Sequence, residues 1–335
     1  MPSITQPIDE PQDEEIMADP AWRHLTLPPD LAGQRLDQAL AAELPEFSRG
    51  RLQTWIKAGR VLVNGGPCRT RDRVWGGEQV QVEPDPELPP GECEPQPVPL
   101  DILFEDQDLL IIHKPAGLVV HPAAGNWDGT LQNGLLYHDP NLGRIPRAGI
   151  VHRLDKDTSG LLMVARSLRA HTSLVAQLQA RQIRRQYLAL VNGIPVAGGR
   201  VDLPIGRHPQ ERTRMAVTPG GKPAVTHYSV LENFQVHSLL QVRLETGRTH
   251  QIRVHLAQIG YPICGDPVYG GRARLPPKAP PELALALRSF KRQALHAELL
   301  GLRHPGTGED LEWEVPPPED MLDLIDRLRE ASEYE

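Results

Sequence analysis

Apolar residues at helical spacing mark the first patterned region of the chain. Two helices are predicted from them, one with Leu36, Leu40 and Leu44 on its inner face and one with Leu52, Trp55 and Ile56 there. Short strands are predicted at 61–63 and around Val80 and Val82, with Asn64-Gly65 as a tight turn. These elements predict a small α+β unit over residues 31–83.

A second patterned region begins at residue 100 and contains longer apolar runs. Runs of four or five apolar residues at 109–112 and 161–165 predict strands buried on both faces. Further patterns predict strands at 187–191, 225–231 and 239–244, and helices at 169–180 and 249–259. Because strands and helices do not alternate strictly, the second region is predicted to be α+β as well, and it extends over residues 100–328.

Segments of biased composition lie outside and between these two regions. Residues 1–30 begin with a proline-containing acidic stretch and are predicted to be a disordered extension. Residues 84–99 contain seven prolines and are predicted to be a semi-rigid linker. Residues 329–335 are predicted to be an acidic tail.

Charge is distributed unevenly along the chain. The acidic segments 1–20, 83–94 and 309–335 carry −6, −5 and −9, so a net charge of −7 leaves +13 on the remainder. A basic body with acidic ends predicts a polyanionic partner. No apolar run is long enough to cross a bilayer, and the three cysteines lack the spacing of a disulfide framework or zinc site. We therefore expect a cytoplasmic protein that does not enter membranes. As a separate expectation, the protein is taken to be a monomer.

Candidate chemistry is concentrated at 152–160, where the sequence reads His-Arg-Leu-Asp-Lys-Asp-Thr-Ser-Gly and continues into the buried strand at 161–165. The segment holds the carboxylate of Asp155 between Arg153 and Lys156 at the end of a strand, a common place for functional groups. Taken alone, it is equally consistent with a charged turn closed by Ser159-Gly160.

The segment 152–160 resembles the HRLD signature of the RluA-type RNA pseudouridine synthases. Segments similar to that family follow one another at 114–122, 185–191, 245–256 and 265–270, and the stretches RLDQAL and SRGRLQTWIKAGRVLVNG resemble the S4 RNA-binding domain. The resemblance implies an S4-like domain followed by a catalytic domain with a mixed, mainly antiparallel sheet. It also implies an isomerase that converts uridine to pseudouridine and requires neither metal nor cofactor.

The same resemblance implies roles for individual residues. Asp155 is the catalytic carboxylate, Arg153 enters the gap left by the flipped base, and Tyr187 stacks on that base. Whether Asp155 attacks ribose C1′, adds at base C6 or removes the 2′ proton is left open. In the S4-like unit, the basic residues expected to contact RNA are Arg49, Arg51, Lys57 and Arg60.

Arg253 lies in the predicted helix 249–259, with Thr249 as its N-cap. The residue lies beside the apolar stripe of Ile252, Leu256 and Ile259, so burial of its charge requires a carboxylate partner. The resemblance makes that partner Asp155. His250 and His255 are five residues apart and do not share one helix face, which argues against a metal site between them.

Several functions remain open at this stage. The resemblance implies that large-subunit (23S) rRNA, free or in ribosomal particles, is the substrate, with several uridines of one stem-loop at the subunit interface modified. A sister synthase acting on other rRNA or tRNA uridines is the first alternative, and a non-catalytic S4-type RNA-binding protein is the second. A hydrolase built on Ser159 is disfavoured because the G-x-S-x-G elbow is missing and Ser159 is expected in a turn.

Overall fold

The computed structural model describes residues 22–44, 47, 49–83, 93–123, 126–211 and 214–333. The chain divides into two compact units between Pro90 and Gly91. The acidic stretch 1–20 and the first part of the predicted linker, 84–92, lie outside the described residues. Each unit has a hydrophobic core of its own.

The N-terminal unit packs two helices against a small antiparallel sheet. Its elements are β1 (Arg23–Thr26), α1 (Leu36–Glu43), α2 (Arg49–Lys57), β2 (Val61–Val63), β3 (Gly66–Pro67) and β4 (Gln79–Val82), with a 3-10 turn at Pro29–Leu31. The strand order is β1-β4-β2-β3. All six apolar residues used to predict the two helices are buried. The unit begins earlier than the predicted residue 31, because β1 pairs with β4 along its whole length.

The C-terminal unit is built on one large sheet. Its strands are β5 (Ile102–Glu105), β6 (Leu109–Lys114), β7 (Ser159–Ala165), β8 (Arg184–Asn192), β9 (Gly199–Asp202), β12 (Val225–Asn233), β13 (His237–Leu244), β14 (Leu295–Arg303) and β15 (Asp310–Glu314); the short strands β10 (Ile205–Arg207) and β11 (Met215–Val217) form a separate pair. The order is β5-β6-β7-β14-β8-β13-β12-β9, with β15 beside β14. Within the described residues, β7 and β14 are parallel and the other neighbours are antiparallel, which confirms the predicted mixed sheet.

Helices cover both faces of this sheet. They are α3 (Leu131–His138), α4 (Leu168–Gln179), α5 (Gln251–Gln258), α6 (Pro281–Ser289) and α7 (Glu319–Glu333), with 3-10 turns at Pro140–Arg144 and Pro146–Gly149. Leu110 and Ile112 pack into the core that contains α3, α5, α6 and α7, whereas Leu109 and Ile111 pack into the core that contains α4. This two-sided burial explains why β6 is apolar at consecutive positions.

The structure corrects three further predictions about local organisation. The end of the predicted linker belongs to the C-terminal unit, because Glu94 accepts a hydrogen bond from Asn133 in α3. The predicted acidic tail begins inside α7, where Arg329 pairs with Glu232. Gly160 lies within β7 rather than in a turn, and it pairs with Ala297 of the parallel neighbour β14. A Cβ at this position would come within 2.2 Å of Ala297 O.

Among the described residues, no helix combines the length and apolar character needed to cross a membrane.

Candidate active site

One cleft in the C-terminal unit brings together Arg153, Asp155, Tyr187 and Arg253, the four predicted active-site residues. It has a volume of about 800 Å3 and is bordered by the loop 150–158, the start of β8 and the segment 244–253. Two carboxylates line it, those of Asp155 and Glu245, together with six arginines: Arg147, Arg153, Arg181, Arg185, Arg248 and Arg253. This excess of positive charge favours binding of a polyanion.

The loop that carries Asp155 is held from beneath by a buried lysine at the end of β6. The Lys114 side chain is fully buried, and its Nζ donates to the carbonyl oxygens of Pro115, Leu118 and Lys156 at 2.8–2.9 Å. Burial lowers the pKa of Lys114 to about 7, although the charges of Asp157 and Asp155 oppose this shift. Lys114 thus fixes the backbone immediately after Asp155.

The predicted pairing of Arg253 with Asp155 is present. Arg253 Nη1 donates to Asp155 Oδ2 at 2.9 Å, while Nε and Nη2 donate to the two oxygens of Asp266 at 2.7 and 2.9 Å. Burial opposes the charged form of Arg253, but the hydrogen bonds and charges of the two aspartates raise its pKa above the ordinary arginine value. The cation beside Asp155 is therefore permanent.

Asp266 anchors this arginine from the opposite side. Its side chain is fully buried and also accepts backbone hydrogen bonds from Val268 and Tyr269. Burial works to raise the pKa of Asp266, but the bonds and charge of Arg253 hold that pKa below its usual value. The Tyr269 ring lies under the Arg253 guanidinium, 5.1 Å from ring centroid to carbon.

His250, and not Thr249 as predicted, is the N-cap of helix α5. It adopts a left-handed backbone conformation with φ 56°, and its side chain makes no capping hydrogen bond. The Gln251 side chain accepts a hydrogen bond from Arg248 N, just ahead of the helix. The His250 ring contacts Tyr269 Oη through Nδ1 at 2.9 Å, and its Nε2 lies 3.9 Å from Asp155 Oδ1. Burial lowers the pKa of His250, the nearby Asp155 opposing and Arg253 reinforcing this shift.

Tyr187 and Arg153 both line the cleft but differ in exposure. Tyr187 is buried on β8, and burial raises the pKa of its phenol. Arg153 is exposed and forms no hydrogen bond or ion pair with another described residue. His152, next to Arg153 in the sequence, accepts a hydrogen bond at Nε2 from Met163 N of β7, and burial lowers the pKa of His152 to about 3.

The basic residues predicted to contact RNA in the N-terminal unit have different surroundings. Arg49 donates to the buried carboxylate of Asp37 at 2.9 Å, so its guanidinium also supports the fold. Arg60 lies 4.0 Å from Glu83, and Lys57 is exposed at the end of α2. The Arg51 side chain lies outside the described part of the structure.

Sequence reasoning missed Asp266 and the role of Lys114 as a clamp. Both lie in segments that resemble the family, but neither position has a local pattern that predicts its partner. Asp266 is 13 residues from Arg253, and Lys114 is 42 residues from the carbonyl group it holds at Lys156. A charged residue two positions after a buried apolar run was the one available signal for Lys114.

A buried serine–histidine pair lies outside the cleft. Ser159 starts β7, not a turn as predicted, and its Oγ lies 2.9 Å from His296 Nδ1, while His296 Nε2 donates to Val315 O. Both side chains are almost completely buried, so this pair cannot reach a substrate in the cleft.

The two ring nitrogens of His255 make hydrogen bonds within the protein, to Thr226 Oγ1 and to Leu203 O. In the described part of the chain, no group of three acidic, histidine or cysteine side chains is arranged to hold a metal ion.

Two family profiles match the two units. The profile described as RNA pseudouridylate synthase matches residues 108–258, and the S4 domain profile matches residues 34–80. The chain is 56% identical to ribosomal large subunit pseudouridine synthase D of Pseudomonas aeruginosa, over 95% of this chain and 99% of that protein. It is 56% identical to the Escherichia coli protein of the same name, over 89% of this chain and 91% of that protein.

Solved structures show the same likeness. Human RNA pseudouridylate synthase domain containing 1 is similar with a TM-score of 0.52 at 27% identity, covering 72% of this chain and 97% of that one. Human RNA pseudouridylate synthase domain containing 4 has the same TM-score and identity, covering 68% of this chain and 92% of that one. These matches confirm the resemblance drawn from the sequence motifs, and the chain therefore belongs to the RNA pseudouridine synthase family, with an S4 domain ahead of its synthase domain.

Proposed function

We propose that this pseudouridine synthase acts in the cytoplasm as a monomer and modifies several uridines of one stem-loop of 23S rRNA at the subunit interface, with Asp155 as the catalytic carboxylate. The observation that carries the assignment of Asp155 is its hydrogen bond to Arg253 at 2.9 Å, at the wall of a cleft lined by six arginines. The names of the relatives support the choice of large-subunit rRNA.

The reaction requires one well-placed carboxylate. Uridine becomes pseudouridine when the bond between N1 and ribose C1′ breaks, the base turns, C5 bonds to C1′ and loses its proton, and N1 gains a proton. No net oxidation or hydrolysis occurs. Asp155 can serve as a nucleophile or as a proton acceptor, and its fixed partner Arg253 holds one of its oxygens in place.

The target base must leave its stack before Asp155 can reach the glycosidic bond. Tyr187 offers an aromatic surface within the cleft, and stacking of a base on it contributes roughly 1–3 kcal/mol. Arg153 is exposed and unpaired among the described residues, so it is free to enter the gap that the base leaves. Loop uridines are the most accessible substrates because they are already partly unstacked.

Mapping pseudouridine in rRNA tests this function directly. A strain lacking the enzyme should lose several pseudouridines from one large-subunit stem-loop, detected as missing primer-extension stops after carbodiimide treatment. Incubating purified enzyme with unmodified rRNA should restore these stops. Restoration confined to tRNA, or to a distant single rRNA site, would favour a sister synthase. Absence of any new pseudouridine would favour the non-catalytic RNA-binding alternative.

Removing the N-terminal unit should weaken RNA binding without unfolding the synthase domain. A chain starting at residue 91 keeps Glu94 and its contact with Asn133 in α3, and it retains the large core. Its affinity for rRNA should fall, and its logarithmic dependence on salt should become shallower because phosphate contacts are lost. Equal affinity and an unchanged salt slope would contradict an RNA-binding role for this unit.

A pair of point variants provides the matched control within the full chain. Lys57→Gln removes an exposed charge and should reduce the salt slope by about one without affecting folding. Arg49→Gln also removes a charge, but it takes a partner from Asp37 and should lower the melting temperature of the unit.

A further inference from the structure

Arg185 is a buried cation for which the described residues provide no partner. It lies near the start of β8 with 7% of its surface exposed. Its Nε is buried and has no hydrogen-bond partner, and no ion pair joins its guanidinium to a described carboxylate. Desolvating a charge without such compensation is costly.

Other buried basic side chains of the same unit have hydrogen-bond partners within the protein. Lys114 donates to three carbonyl oxygens, and Arg253 binds two carboxylates. The carboxylates that line the cleft are also committed, since Asp155 binds Arg253 and Glu245 binds both Arg181 and His227. Arg185 therefore differs in lacking an anion that the protein itself could supply.

The side chain of Arg185 faces the cleft. It is two residues before Tyr187 on one strand, so both side chains project from the same face, and both line the cleft. A Cβ at Gly247 would lie 3.0 Å from Arg185 Nη1, so the absence of a side chain there leaves room beside the guanidinium. The positive charge of Arg185 also acts on His152. Burial is the main cause of the low pKa of that ring, and the charge of Arg185 is the second cause.

We propose that Arg185 binds a backbone phosphate of the RNA next to the uridine that enters the cleft. The proposal rests on the proposed function, since it concerns the same cleft and the same substrate. A phosphate provides the missing negative charge, and its oxygens match the planar fork of a guanidinium. A uracil carbonyl would accept a hydrogen bond but would leave the buried charge without a counter-charge.

The test compares Arg185→Gln with the neighbouring variant Arg184→Gln. Arg184 is exposed on the opposite face of β8, pairs with Glu312 and does not line the cleft. Binding of a fluorescently labelled rRNA hairpin with a loop uridine is measured by anisotropy over a series of salt concentrations. Thermal melting of each protein is recorded in parallel without RNA.

Arg185→Gln should bind the hairpin roughly 10- to 100-fold more weakly. Its salt slope should fall by about one, because one phosphate contact is lost. Its melting temperature should be unchanged or higher, because an uncompensated buried charge is removed. Arg184→Gln should keep the affinity and salt slope of the wild type. An unchanged slope for Arg185→Gln, or a lower melting temperature with normal binding, would overturn the proposal.

A hairpin with a neutral methylphosphonate at a single linkage locates the contact. At one of the two linkages flanking the uridine, this change should weaken wild-type binding but have no further effect on Arg185→Gln. Equal losses for both proteins at each linkage would overturn the proposal in favour of a contact with the base. Because these measurements record binding, they are distinguishable from a failure of the proposed function, in which the wild type would form no pseudouridine in rRNA.

Discussion

Asp155→Asn should abolish pseudouridine formation while leaving RNA binding largely intact. An amide neither attacks carbon nor accepts a proton as a carboxylate does, so the single-turnover rate should fall by roughly 1000-fold or more. The hydrogen bond from Arg253 can still be made to the amide oxygen, so the loop should keep its conformation. The rate is measured with enzyme in excess over a labelled rRNA stem-loop.

Asp157→Asn provides the control for this loss. It removes the same charge from the same loop, two residues further on, but Asp157 is not part of the cleft lining. Its rate should stay within about tenfold of the wild-type rate, since it does not meet the substrate. Turnover of Asp155→Asn within tenfold of the wild type would rule out Asp155 as the catalytic carboxylate.

Arg253→Lys should slow the reaction and destabilise the synthase domain. A lysine keeps the charge but lacks the fork that binds Asp155 and Asp266 at the same time. Because small misplacements of reacting groups are costly, we expect a rate loss of roughly 100-fold. Leaving Asp266 without its two-point contact should lower the free energy of unfolding by about 3 kcal/mol.

The pH dependence of stability tests whether the loss of stability in Arg253 variants comes from the unpaired carboxylate of Asp266. In the wild type, Arg253 holds the pKa of Asp266 below its usual value despite burial, so its stabilising contribution is present at neutral pH and is lost only as pH falls through that lowered pKa. In Arg253→Met, burial acts on Asp266 without a cation and should raise its pKa. The penalty of that variant should therefore shrink as pH is lowered from 7 toward 5, measured by urea unfolding.

The double variant Arg253→Met/Asp266→Leu serves as the control for this effect. It removes the buried carboxylate together with its cation, so it should recover much of the lost stability, and its stability difference from the wild type should no longer change between pH 7 and 5. Its activity should stay low, because Asp155 still lacks its partner. Full stability of Arg253→Met alone, or a wild-type rate for Arg253→Lys, would contradict the proposed coupling.

The sequence by itself determined the family, the order of the two domains and most of the regular elements of the two units. The runs at 109–112 and 161–165 predicted strands that the structure buries on both faces, because consecutive apolar residues in a strand alternate between two cores. Spacing alone also placed Arg253 beside the apolar stripe of its helix. These features follow from periodicity over a few residues, which the sequence displays directly.

The tertiary structure decided which charges meet, and of these contacts only the pair of Arg253 and Asp155 was predicted beforehand, from the family resemblance and not from local spacing. Arg253 and Asp155 are 98 residues apart, and geometry rather than spacing gave Arg253 a second partner in Asp266. Lys114 became a clamp under the Asp155 loop, and Arg185 was left buried without an anion of its own. The N-cap of α5, His250, has its ring partner in Tyr269, 19 residues further along the chain. Electrostatic partners are set by distances that only the packed strands and helices create, so no local pattern could have predicted them.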